Sequence, residues 1–290
     1  MKGIILAGGT GSRLKPMTTT TNKHLLPIYD KPLIYYPLAT VMLTGVREIL
    51  LIVRPEDEAS YRALLGDGSA LGLKIEYRLQ DKPRGIAEAF LIGRDFIGDD
   101  QVMLALGDNI FFGHGLRQIL ESARATRDGA TIFCYWVNDP ERFGVAELGT
   151  GGKVVALAEK PKQPKSNYAV TGLYFYDASV VRIAEGLQAS ARGELEITDV
   201  NRQYLAEGRL HSRILERGFA WLDTGTPDSL LDAANYIATI ERRQGLKIAC
   251  IEEIAWRQGW IDDAALQRLA EAHGNADYGA YLQRLPGFAR

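Results

Sequence analysis

The chain has 290 residues, 46% hydrophobic and 24% charged, with a formal net charge of −2. That length suits one large domain or a domain with an appendage, and the near-neutral charge gives no support to general nucleic-acid or anionic-membrane binding. Two distant cysteines, Cys134 and Cys250, and the lack of any membrane-length apolar run or signal-peptide pattern lead us to expect a soluble, reduced, cytoplasmic protein.

In chain order, GIILA, EILLIV, KIEYRL and VMLALG read as strands, most of them apolar almost throughout, as buried parallel strands are. Between them PLATVMLTGV, EDEASYRALLG and GIAEAFLIGRDFI carry apolar residues at helical spacing. From about Ala130, ATIFCYWV, FGVAELG, KVVALAEK and YAVTGLYFY predict further strands, antiparallel and joined by turns. Helical patterns return at GELEITDVNRQYLAEG and SLLDAANYIATIERRQG, and small helices follow from about Leu246. The sum is an α/β protein: a three-layer α/β/α, Rossmann-like fold with a mixed, mainly parallel sheet over 1–245 and a small helical appendage over 246–290. Sheets of this kind bind ligands beyond the carboxyl ends of their strands.

The first strand runs into "AGGTGSRLKP", a loop in which glycines and cations meet. Exposed backbone N–H groups beside Arg13 and Lys23 suit phosphate. A Walker loop is excluded because Ser12 and Arg13 follow Gly11, and a dinucleotide fingerprint because Leu14 stands where a small residue is needed. LALGDN and WLDTGT each place an aspartate after an apolar run, Asp108 and Asp223. Either alone is ordinary turn chemistry, but two at one sheet edge would suit Mg²⁺, which takes one or two carboxylates plus phosphate oxygens. Glu159 and Lys160 stand at another strand end, and Gln80 and Gly85 between a strand and a helix. In GELEITD the acidic Glu194, Glu196 and Asp199 fit a first helical turn. The aromatic residues of LIYYPL and CYW read as core, and the four histidines show no metal or triad spacing.

The ordered set from Leu6 to Pro27, then Gln80–Gly85, LGDN, FGV, EKP, GELEITD and WLDTGT, resembles the sugar nucleotidyltransferases, and within them the glucose-1-phosphate thymidylyltransferase family. The resemblance covers nearly the whole chain. It implies transfer of dTMP from dTTP to glucose 1-phosphate, giving dTDP-glucose and pyrophosphate, with Mg²⁺ as cofactor and a product that feeds dTDP-deoxysugar pathways such as that to dTDP-rhamnose. Carried over residue by residue, Gly8, Gly9, Gly11, Ser12 and Arg13 would cradle the triphosphate and Lys23 would reach its phosphates. Gln80 and Gly85 would read the thymine. Asp108 and Asp223 would hold Mg²⁺, and Asn109, Gly144, Glu159, Lys160 and Val170 would meet the sugar phosphate. Arg13, Lys160, Asp108 and Asp223 form the expected catalytic set.

His24 departs from the glutamine that bacterial relatives often carry near the base, and Phe143 from their tyrosine near the sugar. The resemblance also implies a homotetramer and a regulatory nucleotide site in the C-terminal helices, with Lys247, Glu253 and Arg257 as candidates. A phosphate monoester is already largely deprotonated at neutral pH, so the reaction needs no histidine or serine to activate its nucleophile. Rivals are a uridylyltransferase and a nucleotide-sugar sensor without turnover.

Overall fold

The structure is a computed structural model that describes residues 1–287; the last three residues of the 246–290 segment lie outside the described residues. The strands are β1 (Lys2–Ala7), β2 (Pro27–Ile28), β3 (Lys31–Pro32), β4 (Glu48–Val53), β5 (Lys74–Leu79), β6 (Val102–Leu106) and β7 (Asn109–Phe112). They continue with β8 (Ala130–Trp136), β9 (Gly144–Leu148), β10 (Val154–Glu159), β11 (Tyr168–Tyr176), β12 (Leu210–Leu215) and β13 (Ala220–Asp223). Nine of them form one sheet in the order β10-β9-β11-β6-β1-β4-β5, with β8 joined to β11 and β12 to β8. The ladders between β1, β4, β5 and β6 are parallel. β11 reverses direction, so its ladders to β6, β8 and β9 are all antiparallel.

Successive residues of the central strands point to opposite faces, which explains why these strands are apolar throughout. Ile5, Ile49, Leu51, Met103 and Ala105 face one core. Ile4, Leu50, Ile52, Val102 and Leu104 face the other. The helix Tyr35–Leu43 belongs to the first face, and the helices Glu88–Ile92, Val180–Glu185 and Ile197–Ala206 to the second. Each fully buried aliphatic side chain contributes about 1.5–3 kcal/mol, so both layers are needed.

The structure corrects four details. β12 was missed because LHSRIL sets His211, Ser212 and Arg213 in a row, which an edge strand paired in parallel with β8 alone tolerates. GIAEAFLIGRDFI forms two short helices, Glu88–Ile92 and Arg94–Ile97, separated at Gly93. The GELEITD helix begins only at Ile197, so Glu194 and Glu196 precede it and Asp199 alone lies in the first turn. Trp136 is 58% exposed, packed edge to face on Tyr168, because it sits at the end of β8 beyond the covered part of the sheet.

The C-terminal helices Ile251–Arg257, Asp263–Ala272 and Asp277–Arg284 extend the first core with Ile251, Trp256, Leu266, Tyr281 and Leu282. Asp262 caps the second of them by accepting from the Ala265 N–H at 2.7 Å. No helix among the described residues is long and apolar enough to cross a membrane. Because Trp256 is buried in the shared core, Trp256→Ala should destabilise the whole protein by about 3–5 kcal/mol, read as a single shifted urea transition. A separate early transition for the C-terminal segment would contradict that shared core.

Candidate active site

The carboxyl ends of β1, β5 and β6 open onto one edge, where two clefts meet. The larger, of about 410 Å³, is lined by Arg13, Asp108, Asn109, Arg142, Gly144, Glu159, Lys160, Val170, Arg192 and Asp223 among others. The smaller, of about 230 Å³, is lined by Gly9, Lys23, His24, Gln80, Gly85 and Asp108 among others. Asp108 is common to both. Segments far apart in sequence therefore converge on one place.

Strand register explains the larger cleft. Gly144 on β9 stands opposite Glu159 on β10 and opposite Val170 on β11, so the three form one rung across the sheet. A Cβ at residue 144 would lie 3.2 Å from Thr198 Oγ1 and 3.4 Å from Glu159 Oε2. Glu159 accepts from the Thr198 hydroxyl at 2.5 Å and lies 3.5 Å from the Arg192 guanidinium. Lys160 follows Glu159 with φ 42°, in the left-handed region and directly before Pro161, where a non-glycine residue is disfavoured. Its N–H donates to the Phe143 carbonyl at 3.0 Å, and its side chain is 49% exposed.

A second ladder brings the two aspartates together. β13 pairs with β7 so that Asp223 stands opposite Asn109, the neighbour of Asp108. Lys23 Nζ pairs with Asp108, and Arg142 Nη2 lies 3.3 Å from Asp223. Burial opposes ionisation of Asp108, but Lys23 and the Asn109 amide outweigh it and hold its pKa below the ordinary carboxylate value. Among the described residues no cluster of three or more His, Cys, Asp or Glu side chains could hold a metal. Two carboxylates at one edge still fit a magnesium ion whose remaining ligands are phosphate oxygens and water.

Asn109 is 5% exposed: one N–H of its Nδ2 donates to Asp108 at 2.8 Å, while its Oδ1 accepts from Trp221 Nε1 at 2.6 Å and from Gly172 N–H at 3.1 Å. It holds the cleft's wall in place, lines the cleft itself and keeps the second N–H of its amide uncommitted.

Around the smaller cleft, Gly8 and Gly85 are required by close approach. A Cβ on Gly8 would come within 2.3 Å of Gln80 Oε1. Gly85 has φ +104°, and a Cβ there would meet the Leu195 carbonyl oxygen at 2.3 Å. Leu195 N–H donates to the Arg84 carbonyl at 2.8 Å, so the GELEITD segment closes over the Gln80–Gly85 loop. Gly11 takes φ +61° where the loop enters the turn Ser12–Leu14, and the Arg13 and Ser12 side chains are exposed. Sequence reasoning missed Arg142 and Arg192, which belong to no periodic pattern and join the cleft only through the tertiary fold. The candidate regulatory residues Lys247, Glu253 and Arg257 line a different cavity of about 590 Å³ beside the helix Tyr35–Leu43. There Lys247 pairs with Asp30, and Glu253 accepts from Arg257 Nε at 2.7 Å.

His24 is 2% exposed, and Asn22 Oδ1 accepts from its backbone N–H at 2.9 Å and its ring Nδ1 at 2.7 Å. Asn22 is itself fixed by donating to Asp57 at 2.6 Å. Burial, then the Lys23 ammonium, lowers the His24 pKa to about 3, so the ring is neutral. Unfolding thus takes up a proton between about pH 3 and 6.5, and this residue's contribution to stability falls as pH drops through that window. From pH 7 to 5 the loss should be about 2 kcal/mol. In His24→Gln that part of the pH dependence should vanish, measured as the difference in urea-unfolding free energy between the two pH values. An unchanged pH dependence would mean that His24 is not held neutral.

The nucleotidyl transferase family model matches residues 2–240. A glucose-1-phosphate thymidylyltransferase from Neisseria meningitidis is 56% identical, over 98% of this chain and 99% of its own length. One from Mycobacterium tuberculosis gives the same identity and coverage. A Bacillus anthracis structure described as a glucose-1-phosphate thymidylyltransferase in complex with a sucrose superposes with a TM-score of 0.76 at 44% identity, over 81% of this chain and 94% of its own. A UDP-glucose pyrophosphorylase complexed with UDP-glucose, at 22% identity and a TM-score of 0.73 over 82% of this chain and 98% of its own, shares the fold. The chain therefore belongs to the nucleotidyl transferase family, among the glucose-1-phosphate thymidylyltransferases.

Proposed function

We propose that this enzyme transfers dTMP from dTTP to glucose 1-phosphate, releasing pyrophosphate and dTDP-glucose. The observation that carries the reading is the pair of clefts that meet at Asp108, one offering a glycine loop with Lys23 and Gln80, the other the Glu159–Gly144–Val170 rung with Lys160 and Arg192. Two polyanionic substrates need two adjoining sites with cations between them, and Arg13 and Lys23 stand near the junction. The relatives' names supply the nucleotide and the sugar.

In this reading the loop from Gly8 to Arg13, with Lys23, holds the triphosphate, and Gln80 and Gly85 meet the base. Glu159 accepts hydrogen bonds from sugar hydroxyls, while Gly144 leaves room for the ring. Lys160 and Arg192 hold the sugar phosphate in line with the α-phosphorus. One phosphate oxygen then forms the new bond to that phosphorus as the bond to the bridging oxygen breaks, and pyrophosphate leaves with the electron pair. Bringing the two anions together in near-attack geometry is the main task, and fixed cations perform it. Asp108 and Asp223 would hold Mg²⁺, which when bound neutralises charge on the phosphates. The product's use in dTDP-deoxysugar synthesis, a homotetrameric assembly, a cytoplasmic location and a regulatory nucleotide site at Lys247, Glu253 and Arg257 belong to the same reading.

The test is pyrophosphate release with Mg²⁺, glucose 1-phosphate and either dTTP or UTP. Release that requires the sugar phosphate and is faster with dTTP supports the proposal. A preference for UTP would reassign the base, and no release with either would end the enzymatic reading. Asp223→Asn should lower kcat by about 100-fold or more while leaving the melting temperature within a few degrees. Full activity in both Asp223→Asn and Asp108→Asn would remove the metal assignment.

A further inference from the structure

Gln80 directly follows β5 at the floor of the smaller cleft and is 3% exposed. An amide can face either way, and by itself Gln80 could offer a base its oxygen or its NH₂. The surroundings remove that freedom. Gln80 Nε2 lies 2.7 Å from Glu88 Oε2, and Glu88 is itself buried. The other Glu88 oxygen receives Arg84 Nε at 2.6 Å, and Arg84 Nη2 also reaches Asp81 at 2.8 Å. A carboxylate paired with arginine only accepts hydrogen bonds, so the Gln80 NH₂ must point at Glu88 and the oxygen away from it. That oxygen lies over Gly8, where a Cβ would approach it to 2.3 Å. Among the described residues the one fully enclosed side-chain polar atom without a partner is Thr171 Oγ1. Gln80 Oε1 accepts no hydrogen bond from the described residues and is not among such enclosed atoms, so it is open to the cleft.

We infer that Glu88, held by Arg84, is a specificity-determining positioning residue: it fixes the Gln80 amide with its oxygen towards the base, so the site takes a pyrimidine that carries N3–H and rejects one with a bare N3. Thymine and uracil present N3–H between two carbonyl groups. Cytosine presents a lone pair at N3 that would face the lone pairs of Oε1. Leaving such a group unpaired in a closed site is where polar recognition discriminates most strongly. The 5-methyl group that separates thymine from uracil is not read by this amide. The inference rests on the proposed function in taking the smaller cleft as the base site.

The test compares equilibrium dissociation constants for dTTP and dCTP, measured by calorimetry on the wild-type protein, Glu88→Gln and Arg84→Gln. Glu88→Gln keeps the size of the side chain but can both donate and accept, so Gln80 is free to turn. Its preference for dTTP over dCTP should fall about tenfold or more, through weaker dTTP and stronger dCTP binding. A side chain with a purely structural role would weaken both nucleotides alike. Arg84→Gln removes the clamp from the outer side without touching the amide, and should move the ratio in the same direction by less. It keeps the inference testable should Glu88→Gln fold poorly. A ratio unchanged within twofold in the folded variants overturns the inference, as does wild-type protein that binds dCTP as tightly as dTTP. Failure of the functional reading would appear elsewhere, as absent pyrophosphate release from protein that still separates the two nucleotides by binding.

Discussion

The side-chain amide of Asn109 is the tie on which the arrangement of the larger cleft depends. One buried group reaches three places: the carboxylate of Asp108, the indole of Trp221 on β13 and the backbone of Gly172 on β11. β13 is a short strand paired with β7, and these two lie outside the main sheet. The Trp221 bond works with the four-residue ladder and with Thr224, whose N–H and hydroxyl donate to the Asp108 carbonyl at 3.2 and 2.8 Å, to hold Asp223 beside Asp108. A Cβ on Gly172 would come within 2.6 Å of Asn109 Oδ1, so the glycine is part of the same tie. Each such bond contributes only about 0.5–1.5 kcal/mol, but an unsatisfied partner in this setting costs more than the bond contributes. The amide therefore determines placement more than it determines stability.

Around that tie, charge is balanced locally. Lys23 pairs with Asp108, Arg142 with Asp223, and Arg192 with Glu196 and Glu159. The carboxylates keep the cations oriented at the cleft, so in the proposed reaction phosphate groups meet side chains already in position. Placement before binding is the economical way to assemble two anions, because little reorganisation remains for the reacting complex.

Much of the fold was legible because the parallel strands are apolar on both faces and the helices between them keep a 3.6-residue period. EILLIV, KIEYRL and YAVTGLYFY match β4, β5 and β11 residue for residue. LHSRIL escaped because its run His211–Arg213 is neither apolar nor alternating, whereas KIEYRL, also at an edge, still alternates. The glycine loop, Asp108, Glu159 and Asp223 were visible as chemistry at strand ends. Their proximity was not, since it depends on which strands pair and in what register. Arg142, Arg192 and Glu88 sit in ordinary-looking stretches and gain meaning only from what they face. His24 was noticed as a departure near the base, but the sequence could not reveal that Asn22 turns its ring inward.

Lys160 shows what stability alone would not select. A non-glycine residue in the left-handed region costs on the order of 1–3 kcal/mol, and here a following proline narrows the options further. A sequence optimised for thermal robustness would drift to glycine or asparagine at this position, gaining stability and losing the ammonium group above the rung. Automated stabilisation of this scaffold would thus strip an ammonium group from the larger cleft, because it weighs the backbone conformation and not the chemistry that the residue carries.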